Sequence, residues 1–209
     1  MSRECGVITE QEQFWTGDFG DEYTNRNQGS SIVQSNQLLF SKIFKRPMRS
    51  LIEFGANRGL NLQALKGLFP QAELAAIEIN GQAAAKLREL NFQVFEASIL
   101  EFEAKRHYEV TLSKGVLIHI NPDCLSEVYD KLYHISSRYI CLVEYYNPTP
   151  VEVSYRGYAA RLFKRDFAGE MLERFPNLTL ADYGFVYHRD PVAPQDDLTW
   201  FLLEKELWV

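Results

Sequence analysis

The order of apolar segments predicts a Rossmann-like, doubly wound α/β fold: a mostly parallel, seven-stranded sheet ending in an antiparallel C-terminal hairpin. Three observations predict it. Short apolar runs alternate with helix-periodic segments from "RSLIEF" to "RYICLVEYY", a glycine-bearing turn follows the first of those runs, and two late β-rich runs flank "DPVAPQDD". Strands alternating with helices imply parallel βαβ units, because parallel neighbours are joined only through a crossover.

The elements follow in order. Residues 14–30, "FWTGDFGDEYTNRNQGS", are rich in aromatic, glycine and polar residues without a clear period, and read as an irregular segment. Ile32, Val33, Leu38, Leu39, Ile43 and Phe44 recur at helical spacing, and the helix ends before Pro47. "RSLIEF" is the first strand, and a helix over residues 59–69 is stopped by Pro70. "AELAAIEIN" is a strand, 81–90 a helix, "FQVFEAS" a strand, and "YEVTLSKGVLIHI" begins as one. Asn121 as cap and Pro122 at the first position open a helix over 122–135. "RYICLVEYY" is the fifth strand, "NPTPVEVSYRGYAARLFK" reads as irregular, and a helix covers 166–174. "TLADYGFVYHR" and "LTWFLLEKEL" then form the edge hairpin.

A chain of 209 residues, 46% hydrophobic and 24% charged, suits a single domain with a real core, here expected over 1–209. Residues 1–46 are expected to supply a lid and a helix, and 145–165 an insertion covering an acceptor site. No apolar run reaches the ~20 residues of a membrane span, and the N-terminus lacks a signal-peptide core. The expected setting is therefore cytoplasmic, without a membrane partner. The net charge of −6 argues against a nucleic-acid partner, because phosphate contacts call for a basic face. Cys5, Cys124 and Cys141 form no CxxC pair and have no histidine at ligand spacing, so no metal site is expected. A monomer or homodimer is equally compatible with the composition.

The turn "EFGANRGLN" sits where open α/β sheets bind ligands, at the carboxyl end of the first strand. Gly55 allows a tight turn and close ligand approach, Gly59 lets the helix start close, and Asn57 tolerates a left-handed backbone. Glu78 ends the second strand about twenty residues later, as expected of an acid that binds ribose hydroxyls. A dinucleotide needs a compact GxGxxG for its pyrophosphate, whereas Glu53, Gly55, Asn57 and Gly59 follow a looser E-x-G-x-N-x-G. That spacing favours S-adenosylmethionine, which carries no phosphate. Asn61, Ile79, Lys114 and Gly115 complete the expected cofactor wall, Ser98 and Ile99 flank the adenine, and Tyr23 and Arg26 reach in from the lid.

The segments "FWTGDFGDEYTNRN", "FGANRGLNLQALK", "KGVLIHINPD", "EYYNPTPVEVSYRG", "LFKRDFAGEML", "DYGFVYHRDP" and "QDDLTWFLLEK" span nearly the whole chain. In them the sequence resembles class I S-adenosylmethionine-dependent methyltransferases, and more narrowly the pseudaminic acid biosynthesis-associated methylases. The resemblance implies the methyl-donor fold and an association with nonulosonic acid sugars. Asn57 departs from the glycine common in class I loops.

Methyl transfer from a sulfonium is an in-line displacement, so alignment and exclusion of water are the main demands. A hydroxyl or amine acceptor needs a base, while a carboxylate or phosphate needs cationic clamps instead. His119 is the expected base or positioning group, with Tyr145 and Arg156 beside it. Trp15, Tyr146, Tyr155, Tyr158, Lys164, Arg165 and His188 are the expected contacts to a small, anionic sugar-like acceptor. Two other readings compete: a binding or regulatory protein on the same fold, and a methyltransferase of protein or RNA.

Overall fold

A computed structural model describes residues 8–26 and 29–206. Cys5, the rest of the N-terminus read for a signal peptide, residues 27 and 28, and residue 207 at the end of the last expected strand lie outside these. The chain runs α1 (Glu10–Thr16), α2 (Asp18–Arg26), α3 (Ser30–Ile43), β1 (Ser50–Phe54), α4 (Leu60–Leu68), β2 (Glu73–Glu78), α5 (Gly81–Glu89), β3 (Gln93–Glu96) and β4 (Tyr108–Lys114). It continues through α6 (Leu125–Ile135), β5 (Ser136–Glu144), β6 (Val151–Tyr155), β7 (Tyr158–Lys164), α7 (Phe167–Arg174), β8 (Leu178–Val186) and β9 (Leu198–Lys205).

Seven strands form one sheet in the order β3-β2-β1-β4-β5-β9-β8. The first five pair in parallel, and β9 lies antiparallel to both β5 and β8, so the late hairpin sits at the sheet edge as expected. Alternation along the strands builds two cores. Ile52, Phe54, Ile77, Ile140 and Leu142 face α6 and α7, while Leu51, Ala76, Val110, Leu112 and Val143 face α3, α4 and α5. A strand buried on both faces has no polar side, which is why these strands read as continuous apolar runs. The order of strands reverses between β1 and β4, and a crevice opens above their carboxyl ends.

Three local expectations change. Residues 14–26 are helical: α1 opens with a Thr9–Glu12 capping box and breaks at Gly17, after which α2 begins. The stretch read as irregular holds a second, two-stranded sheet, β6-β7. "VEVSY" alternates, and Arg156 (φ 51°) with Gly157 (φ 89°) makes the tight turn that matches strand twist. The helix expected over 122–135 splits into a 3-10 turn at Pro122–Cys124, capped by Asn121, followed by α6. Among the described residues no helix is long and apolar enough to cross a membrane, and no His, Cys, Asp or Glu group could hold a metal.

Candidate functional site

The crevice holds a cavity of about 580 Å³, within the usual range for small-molecule sites. Its floor is the turn after β1, where Gly55 (φ 69°), Asn57 (φ 47°) and Gly59 (φ 75°) all take left-handed conformations. A Cβ at Gly55 would stand 2.8 Å from Val116 Cγ2, and one at Gly59 would stand 2.6 Å from Leu87 Cδ2. The crowding at Gly59 therefore comes from α5, the helix beside α4. The Glu78 carboxylate closes one side: Asn57 N donates to Oε2 at 2.6 Å and Asn80 N donates to Oε1 at 2.8 Å.

Beneath the turn lies Glu53, fully buried, whose Oε1 accepts from Asn61 Nδ2 at 2.6 Å while Oε2 has no partner. Burial pushes its carboxyl up to about 8. Burial also lowers Lys114, against the opposing pull of Glu53. Glu144 plays the corresponding part at β5. Its Oε1 accepts from Ser113 Oγ (2.7 Å), Val116 N (3.1 Å) and Leu117 N (3.2 Å), and burial raises it to about 7. The acid thereby ties down the loop after β4, which carries Gly115 and a 3-10 turn, Leu117–His119.

Helices α1 and α2 roof the cavity. Asn80 Nδ2 donates to Trp15 O (3.2 Å) and Asp21 Oδ1 (2.8 Å), and Arg58 donates to Thr24 O at 3.0 Å. Ser98 Oγ donates to the Glu12 carboxylate. The roof is gripped from outside by the β6-β7 hairpin: Gln11 Nε2 donates to Ala160 O at 3.1 Å, and Phe14 meets Tyr158 at 5.1 Å between centroids. His119 stands where the layers meet. Its ring lies 4.8 Å from both Trp15 and Tyr155, its Nδ1 is 2.6 Å from Arg161 O, and burial pushes it down to about 4.

With this geometry in place, the chain can be set beside solved structures. It superposes on a magnesium protoporphyrin IX methyltransferase from Synechocystis with bound SAM at a TM-score of 0.67, with 11% identity over 96% of this chain and 99% of that one. A 1,6-didemethyltoxoflavin N1-methyltransferase from Burkholderia thailandensis, with its acceptor and S-adenosylhomocysteine, gives 0.67 at 12% identity, covering 94% and 87%. A plantazolicin methyltransferase, crystallised with a pentazolic substrate analogue and SAH, gives 0.65 at 14%, covering 94% and 95%. The fold is that of the class I methyltransferases. No protein-family model matches the sequence, and no curated protein matches it.

The cavity brings together Trp15, Tyr23, Gly55, Asn57, Asn61, Glu78, Ile79, Ser98, Ile99, Lys114, Gly115, His119 and His188. Glu53 and Gly59 lie outside its wall, Glu53 buried under the turn and Gly59 packed against α5. Arg26 lies over the Phe19 ring and pairs with Glu22. Tyr155, Arg156 and Tyr158 belong to the hairpin and stand outside the cavity wall: Tyr158 packs on the roof, Arg156 faces solvent over the Tyr155 ring, and Tyr155 packs on Phe19 and His119. Tyr146 is exposed beside Phe201, and Arg165 is engaged by Glu170 at 2.7 Å. Tyr145 lies under Lys164 and near Asp196, which does line the cavity.

Sequence reasoning passed over Glu144, Asn80, Glu12 and Asp196. Glu144 had a visible signal, since it ends an apolar strand as Glu53 and Glu78 do. Glu12 had a weaker one, the T-x-x-E capping pattern.

Proposed function

We propose that the protein is an S-adenosylmethionine-dependent methyltransferase acting on a small acceptor, a sugar or a related intermediate of nonulosonic acid metabolism. The observation that carries the reading is Glu78, held by two backbone N–H groups at the rim of a left-handed turn inside a 580 Å³ cavity. A carboxylate fixed in this way keeps lone pairs for two vicinal hydroxyls. The cavity wall also suits a polar ligand, because Asn57 Oδ1 and Gln11 Oε1 are buried there without partners.

In this reading Glu78 holds the ribose, Ser98 and Ile99 border the adenine, and the 55–59 turn with Lys114 and Gly115 meets the methionine portion. The cofactor supplies a methyl group already activated on a sulfonium. The chain's own share is alignment and dryness: the α1–α2 roof excludes water, and His119, neutral above about pH 4, positions the acceptor. Trp15 and Tyr145 belong to the acceptor side. The sugar assignment rests on the sequence segments quoted above.

Calorimetry with S-adenosylmethionine and S-adenosylhomocysteine tests the core of the proposal. We expect binding by the wild type and at least about tenfold weaker binding by Glu78→Ala, the loss of about 1.4 kcal/mol. A wild type that binds neither compound removes the reading.

A further inference from the structure

We propose that His188 and Asp197 form the base that takes the acceptor's proton, and that the acceptor group is a hydroxyl of a small molecule. The inference rests on the methyltransferase reading and specifies its acceptor side.

His188 lines the cavity from the β8–β9 connection, on the same loop as Asp196. Asp197 holds it at two points. Its Oδ1 accepts from the backbone N–H of His188 at 3.0 Å, and both carboxylate oxygens lie 2.9 Å from the ring Nδ1. A carboxylate accepts only, so the ring hydrogen sits on Nδ1 and the Nε2 lone pair is left for a substrate proton. These bonds hold the Asp197 carboxyl below its ordinary range, so it keeps its charge behind the imidazole. The His188 side chain is 54% exposed, which gives a collected proton a route to water.

His119, the other cavity histidine, has a neutral carbonyl behind Nδ1 and two aromatic rings beside it. An imidazolium there has no counter-charge and little water, whereas one at His188 has Asp197. The charged groups around the dyad are Asp196, Asp197 and the neighbouring Arg189 on its own loop, Lys164 on β7, which acts on Asp197, and Lys114 at the end of β4, which acts on Asp196. A carboxylate or phosphate oxygen needs no base, while a hydroxyl does. In the step, the acceptor oxygen bonds the methyl carbon as the carbon–sulfur bond breaks. The bonding pair stays on sulfur, and the hydroxyl proton passes to His188 Nε2 and on to solvent.

Three measurements test this on the full chain with H188Q and D197N. Calorimetry with S-adenosylhomocysteine should give the same affinity for both variants as for the wild type; if the wild type does not bind, the underlying reading has failed. Nitrogen-15 NMR of the histidine rings in that complex should show His188 protonated on Nδ1 and bare on Nε2, and D197N should shift the proton to Nε2. Labelled methyl transfer to N-acetylneuraminic acid and to methyl glycosides, between about pH 6 and 9, should fall ~10²-fold or more in kcat for H188Q with little change in KM. A wild-type His188 protonated on Nε2 overturns the inference whether or not these sugars react. Turnover of H188Q within twofold of wild type, or wild-type transfer to carboxylates alone, overturns it equally.

Discussion

Glu144 offers a quantitative test of how the site is built. Its carboxyl is wholly buried, one oxygen accepts from Ser113, Val116 and Leu117, and the other has no partner. Burial raises it from 4.5 to about 7, so the folded protein holds this proton at pH values where the unfolded chain has released it. The sign follows from proton uptake. A carboxyl raised on folding lowers stability above its folded value, and stability returns as pH falls toward the unfolded value. The interval from about 7 to 4.5, at ~1.4 kcal/mol per pH unit, amounts to about 3 kcal/mol. Glu144→Gln keeps the shape and an acceptor oxygen but removes the titration. Urea unfolding at about pH 5, 6, 7 and 8 should show the wild type gaining about 3 kcal/mol more than the variant as pH falls. In thermal melts the same difference should appear as roughly 6–12 °C. Groups shared by both proteins cancel in the comparison. Parallel stability curves would refute the placement of an uncompensated, buried carboxylate at this position.

Two further outcomes are expected. His119 has the opposite sign: depressed from 6.5 to about 4, it contributes stability present above pH 6.5 and lost as pH falls toward 4, up to about 3 kcal/mol, and His119→Gln should erase that slope in the same urea series. Gly20 sits in α2 where a Cβ would run into the backbone carbonyl of Trp15. Gly20→Ala should therefore detach the roof, seen as faster proteolysis within residues 8–26 and loss of S-adenosylhomocysteine binding by calorimetry, with the global urea midpoint changed little.

The sheet was legible because its central strands are buried on both faces and its helices on one, which gives distinct periods in the chain. The acids near strand ends were legible for a related reason: a charge after an apolar run marks the carboxyl end of a strand, as at Glu53 and Glu78. Asn57 was readable too, since few residues enter the left-handed region, and its φ of 47° bears that out. A lid from the N-terminal segment was expected, but its helices were not legible. Helices of 7 and 9 residues are too short to establish a period, and their aromatic residues pack against the hairpin as well as the cavity. The hairpin was missed because its alternating run is only five residues long, and its turn opens on Arg156 in place of Asn or Asp. The partners of Asn80 lie 59 and 65 residues away, a pairing that only the folded chain specifies.

The layering has a consequence for how residues divide between cofactor and acceptor. An aromatic, basic insertion after β5 invites assignment to the acceptor, yet its side chains meet α1 and α2, and its basic groups are engaged. Arg161 pairs with Glu10, Arg165 with Glu170, and Lys164 lies over Tyr145. The hairpin reaches the cavity by two routes: Tyr158 and Ala160 hold α1, which carries Trp15 and Glu12 into the wall, and Tyr155 with the Arg161 carbonyl seats His119. The β8–β9 connection has no intermediary, because His188, Pro194, Gln195 and Asp196 line the cavity themselves. Within the methyltransferase reading, changes in the hairpin should act on enclosure and on the seat of His119, and changes in the 187–198 loop should act on the acceptor directly.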